Sequence, residues 1–83
     1  MYKNKAPDGT HNLCGKTLTR FRENHKPPLS QRGLARLLQL NGCDVDHYFV
    51  SRVENGERFV TDIEIKMLAE ALGLTYAQLI DGE

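Results

Sequence analysis

The side chains best suited to chemistry lie in one short segment of the chain, Ser51-Arg52-Val53-Glu54-Asn55-Gly56. Its guanidinium, hydroxyl and amide groups are the kinds of donor and acceptor that read the edges of base pairs. The segment closes a helical pattern that begins near Asp46, and an earlier helical pattern begins at Ser30. Two short helices in tandem, the second ending in Asn-Gly, predict a helix-turn-helix motif that reads DNA.

Other chemistry has less support in the sequence. No serine or cysteine sits in a nucleophile motif and there is no glycine-rich phosphate loop, so we expect neither an enzyme nor a cofactor. A sharper alternative is a metal site, because the spacings of His11 with Cys14 and of Cys43 with His47 could form a Cys₂His₂ set. We expect no metal, since His11 lies at a frayed helix start and His47 belongs to the predicted DNA-reading helix. Two cysteines are too few for a disulfide framework and predict ordinary buried or half-buried thiols.

Charge is distributed unevenly along the 83 residues, although 11 basic and 11 acidic residues give a formal net charge of zero. Residues 1–36 hold eight Lys and Arg against two Asp and Glu, a balance of +6, and residues 37–83 hold three against nine, a balance of −6. Such asymmetry can give one face a positive potential that attracts phosphates. The alternative is a solvated surface with uneven charges.

The predicted base-contacting residues lie on one of four predicted helices whose N-termini follow the same sequence pattern. An apolar residue precedes a capping side chain and meets a second apolar residue five positions later, which is the hydrophobic staple. The four sets are Leu29/Ser30/Leu34, Val45/Asp46/Val50, Val60/Thr61/Ile65 and Leu74/Thr75/Leu79. Glu64 and Gln78 add the reciprocal acceptor of a capping box at the last two starts. Glycines at positions 42, 56 and 73 mark helix ends.

These signals, with a further helix between His11 and His25, predict an all-α domain without a sheet. The predicted helices are 11–25, 31–40, 47–55, 62–72 and 76–81. We expect residues 1–10 to form a flexible arm and residues 11–83 to form one helix-turn-helix domain. No signal peptide or long apolar run is present, which predicts a cytoplasmic protein without a membrane partner. The predicted core comprises Leu18, Phe21, Leu34, Ala35, Leu38, Val50, Val53, Ile65, Leu68, Ala69, Leu72, Leu79 and Ile80.

Several of these segments resemble one family. Leu29-Ser30-Gln31, Leu34-Ala35, the Ser51–Gly56 segment and Leu68-Ala69-Glu70-Ala71-Leu72-Gly73 resemble the lambda-repressor-like helix-turn-helix domains of XRE-family bacterial and phage regulators. The resemblance covers roughly residues 11–81 and implies a five-helix lambda-repressor-like DNA-binding domain. One departure is that Leu40-Asn41-Gly42-Cys43-Asp44 adds about five residues between the two motif helices, which predicts an extended loop or a longer helix 2.

The resemblance also implies the role of each site residue. The third helix enters the major groove, with Val50 and Val53 facing the core. The outward, base-reading residues are then His47, Tyr48, Ser51 and Arg52, with Arg52 gripping guanine O6 and N7 as a fork. The phosphate-binding residues are Gln31, Arg32, Asn55 and Arg58. Arg22 and Glu54 form a structural ion pair. The implied partner is a pseudo-palindromic double-stranded operator, bound by a homodimer that pairs through Tyr76, Leu79 and Ile80 or only on DNA.

The function expected is therefore sequence-specific DNA binding by a transcriptional regulator, a repressor. Acidic residues are the main objection, because Asp44, Asp46, Glu54 and Glu57 flank the reading helix and would repel phosphate. The alternative is a protein-interaction module on the same fold, such as an antitoxin-like or regulator-binding partner. A salt-dependent gel shift discriminates between the two, because phosphate contacts make affinity fall steeply with salt.

Overall fold

The computed structural model describes residues 9–82, which form five α-helices and, over that range, no β-strand. The helices are α1 (Gly15–Asn24), α2 (Gln31–Leu40), α3 (His47–Glu54), α4 (Asp62–Leu72) and α5 (Tyr76–Asp81). The prediction of an all-α, five-helix chain is confirmed, and α2, α4 and α5 have the predicted bounds. Of the predicted arm, residues 1–8 lie outside the described range. None of the five helices has the length and apolar character that a bilayer span requires.

All four predicted helix caps form. Ser30 Oγ accepts a hydrogen bond from Gly33 N–H at 2.9 Å, and Asp46 Oδ1 accepts one from Phe49 N–H at 3.0 Å. Thr61 and Thr75 each form a reciprocal capping box with the residue three positions later. Each cap contributes about 1 kcal/mol by satisfying amides that the helix leaves without partners. The caps therefore fix where α2 to α5 begin.

The start of α1 was predicted wrongly, because the helix begins at Gly15 rather than at His11. The Asn12 side chain explains the difference. Its Oδ1 accepts from Gly15 N–H at 2.8 Å, while its Nδ2 donates to the carbonyls of Val53 at 3.0 Å and Arg58 at 2.9 Å. These long-range bonds hold residues 11–14 against the end of α3 in place of a helical turn.

Gly15 lies so close to α3 that we expect alanine to be poorly tolerated there. A Cβ at this position would overlap the backbone carbonyl oxygen of Val53, which cannot rotate away. Gly15→Ala should therefore reduce the free energy of unfolding by about 1–3 kcal/mol, as measured by urea denaturation. Gly33→Ala is the matched control, because its Cβ would meet only side-chain atoms, Ser30 Oγ at 3.3 Å and Leu29 Cδ2 at 3.5 Å, and alanine favours a helix. Equal stability of the two variants would contradict the close approach.

The buried core includes residues from all five helices. It comprises Cys14, Leu18, Leu34, Ala35, Leu38, Cys43, Phe49, Val50, Val53, Leu68, Ala69, Leu72 and Leu79. Phe49 was missed by the sequence prediction, whereas Phe21, Ile65 and Ile80 are only partly buried. The prediction of ordinary buried thiols is confirmed, and burial raises the pKa of Cys14 to about 11, so this thiol stays protonated.

The extra residues between α2 and α3 form a loop, residues 41–46, and do not lengthen α2. The loop is anchored at several points. The side chain of Cys43 is buried, and its N–H donates to the Leu38 carbonyl at 2.9 Å. Gln39 Nε2 donates to the Val45 carbonyl at 2.7 Å. The loop therefore holds a defined position beside the start of α3.

The end of α3 is closed by Gly56, whose φ of 71° is left-handed. A side chain there would be strained and would also collide with Thr10, whose Cγ2 lies 2.6 Å from the position of a Cβ. His11 N–H donates to the Gly56 carbonyl at 2.9 Å. The segment that precedes α1 therefore packs on the turn that follows α3. Gly42 and Gly73 also have positive φ, as predicted for helix ends.

Candidate nucleic-acid interface

The outer face of α3 holds four polar side chains over a buried inner face. Positions 47, 48, 51 and 52 are spaced so that they share one side of a helix. Tyr48 is 61% exposed, Arg52 is exposed, and His47 and Ser51 are partly exposed. The His47 and Tyr48 rings lie 4.1 Å apart between centroids. This face offers a guanidinium, a hydroxyl, a phenol and an imidazole to a ligand.

Arg52 is the side chain on this face with the most donors to offer. No residue from 9 to 82 forms a hydrogen bond or ion pair with its side chain. It lines an open groove together with Tyr48 and with Asp44 of the α2–α3 loop. Since its guanidinium is exposed and without a partner in this range, it can bind an external acceptor without first breaking an internal contact.

Arg22 and Glu54 form a bidentate ion pair that connects α1 to the end of α3. Arg22 Nε and Nη2 donate to the two Glu54 carboxylate oxygens, each at 2.9 Å, and these bonds raise the pKa of Arg22. The side chains are 19% and 5% exposed, respectively. Arg22 Nη1 also donates to the Leu29 carbonyl at 3.2 Å, and Gln31 Nε2 donates to Glu54 Oε1 at 3.1 Å. The pair therefore also holds the start of α2.

Arg58 is engaged within the protein. Its Nη1 and Nη2 donate to the two carboxylate oxygens of Glu64, each at 2.8 Å, and Nη1 also donates to the Phe59 carbonyl at 2.7 Å. The guanidinium carbon lies 4.8 Å from the centre of the Phe49 ring. We call this arrangement of Phe49, Arg58 and Glu64 the Arg58 clasp. It joins the inner face of α3 to the start of α4.

The remaining predicted residues are less constrained. Arg32 is exposed in the first turn of α2. Asn55 is exposed after α3, and its Nδ2 lies 3.5 Å from Ser51 Oγ, which is a weak contact. Of the acidic residues near α3, Asp46 caps the helix and Glu54 is paired. Each of these two carboxylates therefore already accepts hydrogen bonds from within the protein.

Glu64 makes the stability of the domain depend on pH. The hydrogen bonds from Arg58 lower the pKa of Glu64 below its usual 4.5. Because the folded pKa is depressed, the stabilisation is present above pH 4.5 and is lost as pH falls through the folded pKa. We expect Glu64→Gln to be less stable than the wild type at neutral pH, by urea denaturation, and the difference to shrink as the pH is lowered below 4.5. A difference independent of pH would contradict this role for Glu64.

A metal centre is not assembled from the cysteines and histidines. Throughout the described range, no group of three or more His, Cys, Asp or Glu side chains is arranged to hold a metal ion. The four-residue set allowed by the sequence spacing therefore does not form. His11 instead packs edge-on against Phe59, with ring centroids 4.6 Å apart.

No protein-family model matches this chain, and no curated protein matches it. Among solved structures, the chain is similar to the crystal structure of a hypothetical transcription factor, NHTF, from Neisseria. The two share 25% sequence identity with a TM-score of 0.67, over 96% of this chain and 84% of that one. The chain therefore has a transcription-factor-like fold.

Proposed function

We propose that this protein is a sequence-specific double-stranded DNA-binding regulator of the XRE type, with α3 in the major groove. The observation that carries the proposal is the exposed Arg52 guanidinium, which has no partner from Gly9 to Gly82, on a helix anchored by buried Val50 and Val53. The similarity to a protein named as a transcription factor supports it.

In this arrangement, Arg52 donates its two parallel N–H groups to guanine O6 and N7. His47, Tyr48 and Ser51 contact neighbouring base edges. The negative charge of Asp46 is partly offset, because its carboxylate accepts the Phe49 N–H at the partially positive N-terminus of α3. The α3 face therefore combines one side chain that binds guanine through two hydrogen bonds with three side chains that can donate or accept hydrogen bonds.

Phosphate contacts fix the register of α3 in the groove. Gln31 stands at the first position of α2, where free backbone N–H groups favour an anion, and its side chain is oriented by Glu54. Arg32, in the first turn of α2, and Asn55, just after α3, are both exposed. Arg58 is the weakest of the four candidates, because Glu64 and the Phe59 carbonyl already accept from its guanidinium.

We further propose that the protein acts as a cytoplasmic repressor without catalytic activity of its own. Repression requires only that an operator be occupied, which a DNA-binding domain alone can achieve.

A homodimer would double the contacts and match a pseudo-palindromic operator. Leu79 is not available for pairing, because it is fully buried. Tyr76 and Ile80 of α5 instead share an apolar groove with Ile63 of α4, which is 77% exposed. Asp62 and Lys66 flank this groove. Opposite charges beside an apolar centre are self-complementary across a two-fold axis, so we propose this groove as the dimer surface.

Ile63→Asp should therefore lower affinity for a two-site duplex much more than for a duplex that carries one half-site. The fold should persist, because the Ile63 side chain is exposed. Leu40→Asp is the matched control, since Leu40 is 76% exposed but does not line the groove. Fluorescence anisotropy with both duplexes measures the effect. If both variants bound the two-site duplex like the wild type, the groove would not be the dimer surface.

The function itself is tested by selecting duplexes from a randomised library with the purified protein. We expect enrichment of one sequence, with an affinity for the selected duplex that falls steeply as salt rises, because bound phosphates release counterions. No enrichment, or affinity that is independent of salt, would favour the protein-interaction module.

A further inference from the structure

The α2–α3 loop places two carboxylates beside the proposed reading face, and one of them, Asp46, caps α3. Asp44 is exposed, and its side chain forms no hydrogen bond or ion pair with any residue that the structure describes. It lines the same open groove as Tyr48 and Arg52. A carboxylate at that position would oppose the approach of DNA through general charge repulsion. The same carboxylate could also add to sequence specificity, if it accepts a hydrogen bond from one particular base.

The loop holds Asp44 from both sides. On one side, Cys43 is buried and its N–H donates to the Leu38 carbonyl at 2.9 Å. On the other, the Val45 carbonyl accepts from Gln39 Nε2 at 2.7 Å, and Val45 N–H donates to the Cys43 carbonyl at 3.0 Å. The Asp44 carboxylate therefore projects from a fixed backbone.

An ionised carboxylate only accepts hydrogen bonds, so it discriminates among bases in the major groove. Cytosine offers the N4 amino group as a donor with no acceptor beside it, whereas guanine offers two acceptors and thymine one. Adenine has an amino group next to the N7 acceptor, which repels a carboxylate. A carboxylate at the groove therefore favours cytosine, as an arginine favours guanine.

We propose that Asp44 is a specificity-determining residue that accepts a hydrogen bond from cytosine N4, next to the guanine read by Arg52. The inference rests on the proposed DNA-binding function and assigns a role to the loop that separates α2 from α3. The same carboxylate weakens binding to sequences that lack this cytosine. It then faces base acceptors and phosphates, and no hydrogen bond from an amino group offsets the repulsion.

The test compares duplexes selected from a randomised library by the wild type, by Asp44→Asn and by Asp44→Ala. Glu57→Gln is the matched control, because the Glu57 side chain is also exposed and without a described partner but does not line the groove. We expect both Asp44 variants to lose the preference for cytosine at one position, by about tenfold, and to keep the guanine preference. Glu57→Gln should leave the preferred sequence unchanged.

Two results would overturn the inference, and they are distinguishable. If both Asp44 variants select the wild-type sequence and only bind it more tightly, Asp44 acts by general repulsion and reads no base. If the wild type itself selects nothing, the proposed DNA-binding function fails and the role of Asp44 fails with it. Thermal melting of each variant shows whether the fold is retained, which the exposure of both side chains predicts.

Discussion

Replacing Arg52 with alanine is expected to reduce affinity for the selected duplex to that for random duplex DNA, with the fold intact. A forked arginine–guanine contact contributes about 1–3 kcal/mol of discrimination, and a homodimer loses it at both half-sites. Stability should change by less than about 0.5 kcal/mol, because the side chain is exposed and no residue within 9–82 pairs with it. Fluorescence anisotropy with selected and scrambled duplexes measures the loss.

The matched variant is Arg52→Lys, which keeps the positive charge but removes the planar fork. If Arg52 reads guanine, lysine should retain much of the affinity for random duplex while losing most of the preference for the selected one. A variant that bound the selected duplex as tightly as the wild type would show that Arg52 contributes only its charge. The same assay would then be repeated on the other three residues of the α3 face.

Local signals allowed most of the fold to be predicted from the sequence. The caps at Ser30, Asp46, Thr61 and Thr75 involve residues three positions apart, and all of them form. The start of α1 could not be predicted in this way, because Asn12 bonds to carbonyls more than forty positions away. Nothing in the local pattern marks such an asparagine.

The Arg58 clasp shows a second reason why the site could not be fully predicted from the sequence. A side chain that has one predicted partner can also bind a second one. Glu64 was identified as the capping-box acceptor for Thr61, and it does accept from Thr61 N–H at 2.9 Å. The same carboxylate also pairs with Arg58, which the sequence predicts to be a phosphate ligand. Phe49 was not assigned to either face of α3, although its four-residue spacing from Val53 indicates the buried side.

Two features link the fold directly to the candidate site. Val50 and Val53 hold the inner face of α3 in the core, and this leaves the outer face available. The Arg22–Glu54 pair joins that helix to α1 and to Gln31 at the start of α2. A change at this pair should therefore affect both stability and the proposed phosphate contact, whereas a change at Arg52 should affect binding alone.

Arg22→Ala is accordingly expected to be the most destabilising of the substitutions considered. It leaves the Glu54 carboxylate, which is 5% exposed, with Gln31 as its described side-chain partner. Breaking a buried pair by removing one member costs about 3 kcal/mol or more, since the other charge stays buried. For a domain of this size, that loss lowers the melting temperature by about 12–24 °C, measured by circular dichroism. Arg36→Ala, at an exposed arginine on α2 without a described partner, is the control and should melt like the wild type.

A double variant, Arg22→Met with Glu54→Leu, separates the structural role of the pair from its role at the site. Apolar side chains of similar volume remove both charges together, so much of the lost stability should return. DNA affinity should nevertheless be lower than in the wild type, because Gln31 then lacks the carboxylate that orients its amide at the start of α2. Recovery of both stability and affinity would show that the pair does not position Gln31. If Arg22→Ala melted like Arg36→Ala, the pair would not be supporting the fold at all.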